Sequence, residues 1–143
     1  MRGSRETRVP AAVVMAVLVT TACATDPSKD TSLPRMEVDY MFAARNKCLG
    51  LSPEIRLRNV PRGTASYDVK LTDLDVPSFQ HWSQTIPANG PVIREDAGRT
   101  EGGVRYYGPC PPSGTHRYQI EVVARDANQN VLGYGEKTVM TGR

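Results

Sequence analysis

The sequence predicts an all-β domain, an antiparallel β-sandwich. Three observations carry the prediction. Apolar and charged residues alternate with a period of two in four separate stretches, turn-forming clusters divide those stretches, and no segment pairs a helical apolar stripe with capping residues.

Taken in order, the elements follow from that alternation. In "MEVDYMF" (36–42), Met36, Val38, Tyr40 and Phe42 project one way, Glu37 and Asp39 the other. In "EIRLRNV" (54–60), Ile55 and Leu57 alternate with Glu54, Arg56 and Arg58. "VPRG" (60–63) is turn chemistry, and in "YDVKLTD" (67–73) the apolar side is Tyr67, Val69 and Leu71. His81 and Trp82 open the next strand, which ends at the turn "IPANG" (86–90). Residues 90–105, "GPVIREDAGRTEGGVR", mix charges without a period and are expected to form an irregular surface loop. "RYQIEVVAR" (117–125) aligns Tyr118, Ile120, Val122 and Ala124. "DANQN" (126–130) then predicts a hairpin into the last strand.

The front of the 143-residue chain stands apart from this single domain. "MRGSRETRVPAAVVMAVLVTTAC" has a basic start, an apolar run from Ala11 to Val19 that is too short to span a bilayer, and small residues before Cys23. That layout predicts a signal peptide over 1–22. "VTTAC" resembles a lipobox, with Thr20 where the pattern prefers leucine. Cys23 is therefore expected to carry acyl chains, palmitate among them, that hold a lipoprotein to a membrane of the bacterial cell envelope. Ordinary cleavage near Ala22 or Ala24, giving a soluble secreted or periplasmic protein, is the alternative. "ATDPSKDTSLPR" is polar and proline-containing, so 23–35 reads as a flexible tether and 36–143 as the domain. Without Arg2, Arg5, Arg8 and Glu6, the 18 basic and 15 acidic residues become 15 and 14, a net charge of +1 against +3 for the whole sequence. So even a balance forms no basic footprint, and no nucleic-acid partner is expected.

Besides Cys23, the cysteines are Cys48 and Cys110. Two thiols of an exported protein are more often paired than free, so a Cys48–Cys110 disulfide is expected; two separate buried thiols is the other arrangement the sequence allows.

Both histidines stand where strand and loop meet. "DLDVPSFQHW" (73–82) sets Asp73 and Asp75 beyond one strand and His81 at the start of the next. "GPCPPSGTHRY" (108–118) ends in His116 and Tyr118, which share a face by alternation, as Asp73 and Asp75 do if their strand continues. Asp75 is expected to serve a turn or a backbone hydrogen bond, Trp82 the core, and Arg117 an ion pair on the opposite face. There is no nucleophile elbow and no serine or cysteine beside an evident base, so no enzyme is expected. No metal and no cofactor is expected either, because Asp73, His81 and His116 lack a tight ligand spacing.

"LTDLDVPSFQHWSQTIPA" followed by "YYGPCPPSGTHRY" resembles the two signatures of the phosphatidylethanolamine-binding protein family, which includes Raf kinase inhibitor protein and bacterial relatives. "CLGLSPEIRLRNVPRGTASYDVKLTD" is similar to the family's upstream stretch, so the resemblance covers about residues 48–125. It implies a β-sandwich of that type with a small anion pocket at one end. Asp73 and His81 come from the first signature, and Gly108, Pro111, Pro112, His116 and Tyr118 from the second, with Cys110 on the pocket wall. Prolines and glycines there would fix a wall with little entropy left to lose on binding, and imidazoles suit an oxyanion because histidine titrates near neutrality. Leu74 and Val76 depart from the family's proline and alanine, and "GYGEKTVMTGR" ends the sequence without much of the usual C-terminal helix. The function implied is a non-enzymatic envelope lipoprotein that binds phosphate or a phosphoryl head group in a rim pocket. The alternative is a protein-interaction module, kinase- or protease-inhibitor-like, with a degenerate pocket.

Overall fold

The computed structural model describes residues 26–100 and 103–143. The expected signal peptide and the acylation site Cys23 lie outside the described residues. In chain order the strands are β1 (Glu37–Asp39), β2 (Ile55–Arg58), β3 (Ser66–Asp73), β4 (Gln80–Pro87), β5 (Val92–Ile93), β6 (Arg99–Thr100), β7 (Gly103–Val104), β8 (Thr115–Arg125) and β9 (Val131–Gly142). One sheet runs β4-β3-β8-β9, a second β1-β2-β5, and β6 with β7 makes a two-stranded ribbon. Every strand pairing is antiparallel. Among the described residues the helical content is one 3-10 turn, Ala44–Asn46.

The period of two decides which faces meet. Val38, Ile55 and Leu57 from the three-stranded sheet pack with Tyr67, Val69, Leu71, Ile120 and Val122 of the four-stranded sheet in one core. Each aliphatic side chain taken fully out of water there contributes about 1.5–3 kcal/mol. The fold is thus the expected antiparallel sandwich. Trp82 is buried, edge-on to Tyr106 at 5.6 Å, as core packing requires. The "DANQN" hairpin is present: Asp126 Oδ1 accepts the Asn128 and Asn130 N–H groups at 2.8 and 2.9 Å, and Gln129 takes the left-handed φ of 67° that closes the turn.

Residues 90–105 are not simply a surface loop. Ile93 is buried opposite Ile55 as β5 completes the second sheet. A strand of two residues is too short to show alternation, which is why periodicity could not reveal it. Upstream, Asp26 and Asp30 each cap a tight turn by accepting the N–H two residues on, at 3.0 and 2.9 Å. The chain joins the body just before Met36. Pro34 O accepts the Tyr134 N–H, Tyr134 O accepts the Met36 N–H, and the Arg35 guanidinium lies 5.0 Å from the Tyr134 ring.

Cys48 and Cys110 form the expected disulfide, with Cα atoms 4.7 Å apart and a sequence separation of 62. Closing a loop of that length removes unfolded-state entropy worth about 4 kcal/mol.

Candidate functional site

Register gathers the strand ends. Asp73, the last residue of β3, lies opposite Tyr118 of β8, so His116 stands at the same rim. His81 arrives by a β-bulge. The β3–β4 register passes from Leu71↔Trp82 to Thr72↔Gln80 and leaves His81 without a partner. An extra residue in one strand re-aims side chains, and here the neighbours His81 and Trp82 are both buried. The bulged residue is then fixed by Tyr107: its carbonyl accepts the Tyr107 N–H at 2.8 Å, and its ring Nδ1 lies 2.8 Å from the Tyr107 carbonyl.

That pairing starts the wall of the site. Immediately after Tyr107, a Cβ on Gly108 would sit 2.1 Å from the Asn46 carbonyl oxygen, so no other residue fits without moving backbone. The Gly108 N–H donates to Cys48 O at 2.7 Å, the Cys48 N–H to Pro109 O at 3.1 Å, and the disulfide closes the same contact. Cys48 itself holds a left-handed φ of 51°, a conformation that its surroundings must enforce. Pro111 is buried in this wall and Pro112 exposed on it.

Between the wall and the strand ends opens a cavity of about 280 Å³. Asp73, His81, His116 and Tyr118 line it, with Gly108, Cys110, Pro111 and Pro112 opposite, so the residues expected to bind ligand meet at one opening. The His81 ring lies between two others, 4.7 Å from Phe79 and 5.3 Å from Tyr118, and His116 stacks on Tyr118 at 6.3 Å. Leu49, Val76, Phe79 and Tyr107 also line the cavity and were not anticipated as site residues. Only Phe79, two positions before His81 in a loop with no core period to serve, carried a signal for it.

Asp73 is aimed by a turn. Its Oδ2 lies 2.7 Å from His116 Nδ1, while its Oδ1 accepts the Asp75 and Val76 N–H groups at 2.8 and 3.1 Å. The Leu74 N–H donates to Arg117 O at 2.8 Å, a bond that a proline at this position could not make. The Leu74 N–H thus helps fix the turn that directs the Asp73 carboxylate to His116. Burial pushes the Asp73 carboxyl up, but the bonds from His116, Asp75 and Val76 outweigh it, and its pKa lies below the ordinary value. Burial, then the Asp73 charge, pushes the Tyr118 phenol up to about 12. Asp75 takes no part in the cavity. β3 stops at Asp73, and Asp75 turns outward to accept Arg117 Nη2 at 2.7 Å and the Arg117 N–H at 2.7 Å. Those bonds hold its pKa at about 2, and the ion pair expected for Arg117 on the far face is this one.

Comparison with known proteins agrees with the geometry. A family model described as phosphatidylethanolamine-binding protein matches residues 25–142. A UPF0098 protein of Aquifex aeolicus is 37% identical over 91 residues, covering 52% of this chain and 53% of the relative. One from Archaeoglobus fulgidus is 30% identical over 135 residues, covering 80% and 47%. The chain thus spans about half the length of these relatives. The crystal structure of Escherichia coli YbcL, titled a new member of the mammalian PEBP family, superposes with a TM-score of 0.59 at 23% identity, over 76% of this chain and 98% of that one. At that identity the likeness speaks for the fold. With a family model matched across nearly all of the described residues, the chain belongs to the phosphatidylethanolamine-binding protein family.

Proposed function

We propose that this protein binds a small oxyanion, phosphate or a phosphoryl head group, in the rim cavity and does not turn it over. One observation supports the reading above the others: two imidazoles reached through different strands, His81 by a bulge and His116 by the start of β8, face one opening beside a stiff glycine–proline wall. Such a site is largely formed before ligand arrives, so little ordering opposes binding. No lining side chain has the nucleophile–base pairing that turnover of an ester would need, since the cavity's cysteines are joined in the disulfide. Titration with inorganic phosphate, followed through the ring resonances of both histidines, is expected to move both together. Rings that stay silent at millimolar ligand exclude the reading.

The cellular setting we propose is the bacterial envelope, with the domain tethered through acylated Cys23. Mass spectrometry of the mature protein tests this by the mass added at that residue, and an unmodified N-terminus beyond Cys23 excludes it.

A second reading, a protein-interaction module of the Raf kinase inhibitor type, is favoured by the rim. Leu49 is 75% exposed and Phe79 51% exposed, and Tyr107 and Val76 are exposed beside them. His116→Ala separates the readings: a pocket binder loses its oxyanion, whereas a rim that docks a protein keeps its partner.

A further inference from the structure

The hydrogen bonds of the two imidazoles determine what the cavity can hold in each protonation state. His81 Nδ1 faces a carbonyl oxygen and His116 Nδ1 faces a carboxylate, both at hydrogen-bond distance. Carbonyl and ionised carboxylate oxygens only accept, so each Nδ1 carries a proton. A neutral imidazole has a single N–H. In the uncharged state, both Nε2 atoms are therefore bare acceptors.

Among the described residues no group bonds either Nε2, and neither is among the polar atoms shut away from solvent without a partner. On the imidazole and carboxylate side the uncharged cavity thus presents two acceptors and the Asp73 carboxylate, all unsuited to an anion, and leaves the Tyr107 and Tyr118 phenols as its side-chain donors. Other charges do not change this. The remaining ionisable groups on the lining are the phenols of Tyr107 and Tyr118; the disulfide carries no titrating thiol, and neither lysine nor arginine lines the cavity. Arg117, on the strand of His116, is directed to Asp75 outside it.

An oxyanion also only accepts. We propose that the cavity takes up an oxyanion together with protons, as many as two, one on each Nε2. With both rings protonated, Asp73 leaves the cavity with a net charge of +1. That balance fits a singly charged oxyanion, a class that includes phosphodiesters and hydrogen phosphomonoesters. The inference rests on the anion-binding reading above and adds the ligand's charge and its link to pH.

The test uses phenyl sulfate, which is singly charged and carries no exchangeable proton of its own, so any proton taken up belongs to the protein. Calorimetry in buffers of different ionisation heat is expected to show proton uptake on binding that approaches two per ligand at the alkaline end of the pH series and declines as pH is lowered. On the alkaline side Kd should rise by up to ~100-fold per pH unit. His81→Gln should reduce the slope to ~10-fold per unit, with one proton fewer taken up. Asp73→Asn makes the sharper variant. An amide N–H in place of Oδ2 turns His116 Nδ1 into the acceptor, so the neutral ring presents Nε2–H to the ligand. This variant should bind better than the wild type at alkaline pH while taking up one proton fewer, an outcome that a merely structural role for Asp73 does not produce. Wild-type binding with a constant Kd and no proton exchange overturns the proposal and leaves the anion-binding reading standing. Absence of binding at every pH, acid included, overturns both.

Discussion

Two concave regions of the protein, the rim cavity and a groove beside the 3-10 turn, handle charge in opposite ways. The rim cavity holds one carboxylate and two imidazoles, and among the described residues neither Nε2 has a partner. A wider groove of about 570 Å³ is lined by three acids and three bases, each tied to another: Lys137 to Asp39 at 2.6 Å, Arg45 to Glu95 at 2.6 Å and Arg56 to Glu54 at 2.8 Å. The larger hollow is thus neutral and internally satisfied, while the smaller one keeps unpaired polar atoms beside apolar walls. Exposed ion pairs contribute about 0–1 kcal/mol each. The two Nε2 atoms stay open to solvent, whereas the groove's charges already satisfy one another. Volume is therefore a poor guide to function here, and unmet hydrogen-bonding capacity a better one.

The strongest way to break this contrast is to release the cavity wall. Cys48→Ser with Cys110→Ser should lower unfolding free energy by about 4 kcal/mol, from the loop the bridge closes. The same pair should weaken ligand binding and leave the groove's ion pairs in place. Denaturant unfolding with and without a thiol reductant measures the first effect, and oxyanion titration the second. A variant as stable as the wild type removes the disulfide from the account of the wall.

Gly108→Ala comes next. The added methyl must displace the Asn46 carbonyl, against which the Tyr106 hydroxyl also donates at 2.6 Å. Overpacking of this kind costs about 1–3 kcal/mol. A crystal structure of the variant is expected to show the 108–112 segment shifted from the 44–50 loop, with oxyanion affinity reduced.

The sandwich was legible because alternation is a local property, and Tyr67, Val69 and Leu71 declare their face within one strand. The histidines and the glycine–proline wall were legible through motif chemistry. What closes the site was not. The bulge that turns His81 inward depends on its register with β3, the contact that makes Gly108 obligatory comes from Asn46, and the Leu74 N–H finds its acceptor at Arg117. Each joins residues more than 40 positions apart or depends on pairing between strands, and no local pattern encodes such contacts.

Acid separates the two regions more finely. The Asp73 carboxyl is held below its ordinary value, so its bonds stabilise the fold fully above the unfolded pKa, near 3.8. That contribution is lost as pH falls through the lower folded value. Asp75 follows the same sign, with its folded value at about 2. Thermal unfolding between pH 5 and pH 2 (an interval of about 3 units around the carboxylate range) should show Tm falling, less steeply in Asp73→Asn. Each hydrogen bond to the charged Asp73 carboxylate so removed is worth about 1.5–3 kcal/mol. An equally steep decline in the variant assigns the acid sensitivity elsewhere.

The smallest effect is expected in the groove, and its smallness is what tests the contrast. Arg56 reaches Glu54, two residues away on the exposed side of β2, and its side chain is 72% exposed. Solvent screens the pair, and holding two long side chains together opposes part of the attraction, so Arg56→Gln should change stability by less than about 0.5 kcal/mol. The second sheet keeps Ile55 and Leu57 in the core. Oxyanion affinity and its pH dependence should match those of the wild type, because no ionisable group of the rim cavity loses a partner. A tenfold change in affinity from this substitution would make the groove part of the binding machinery, and the paired charges could no longer be treated as closed among themselves.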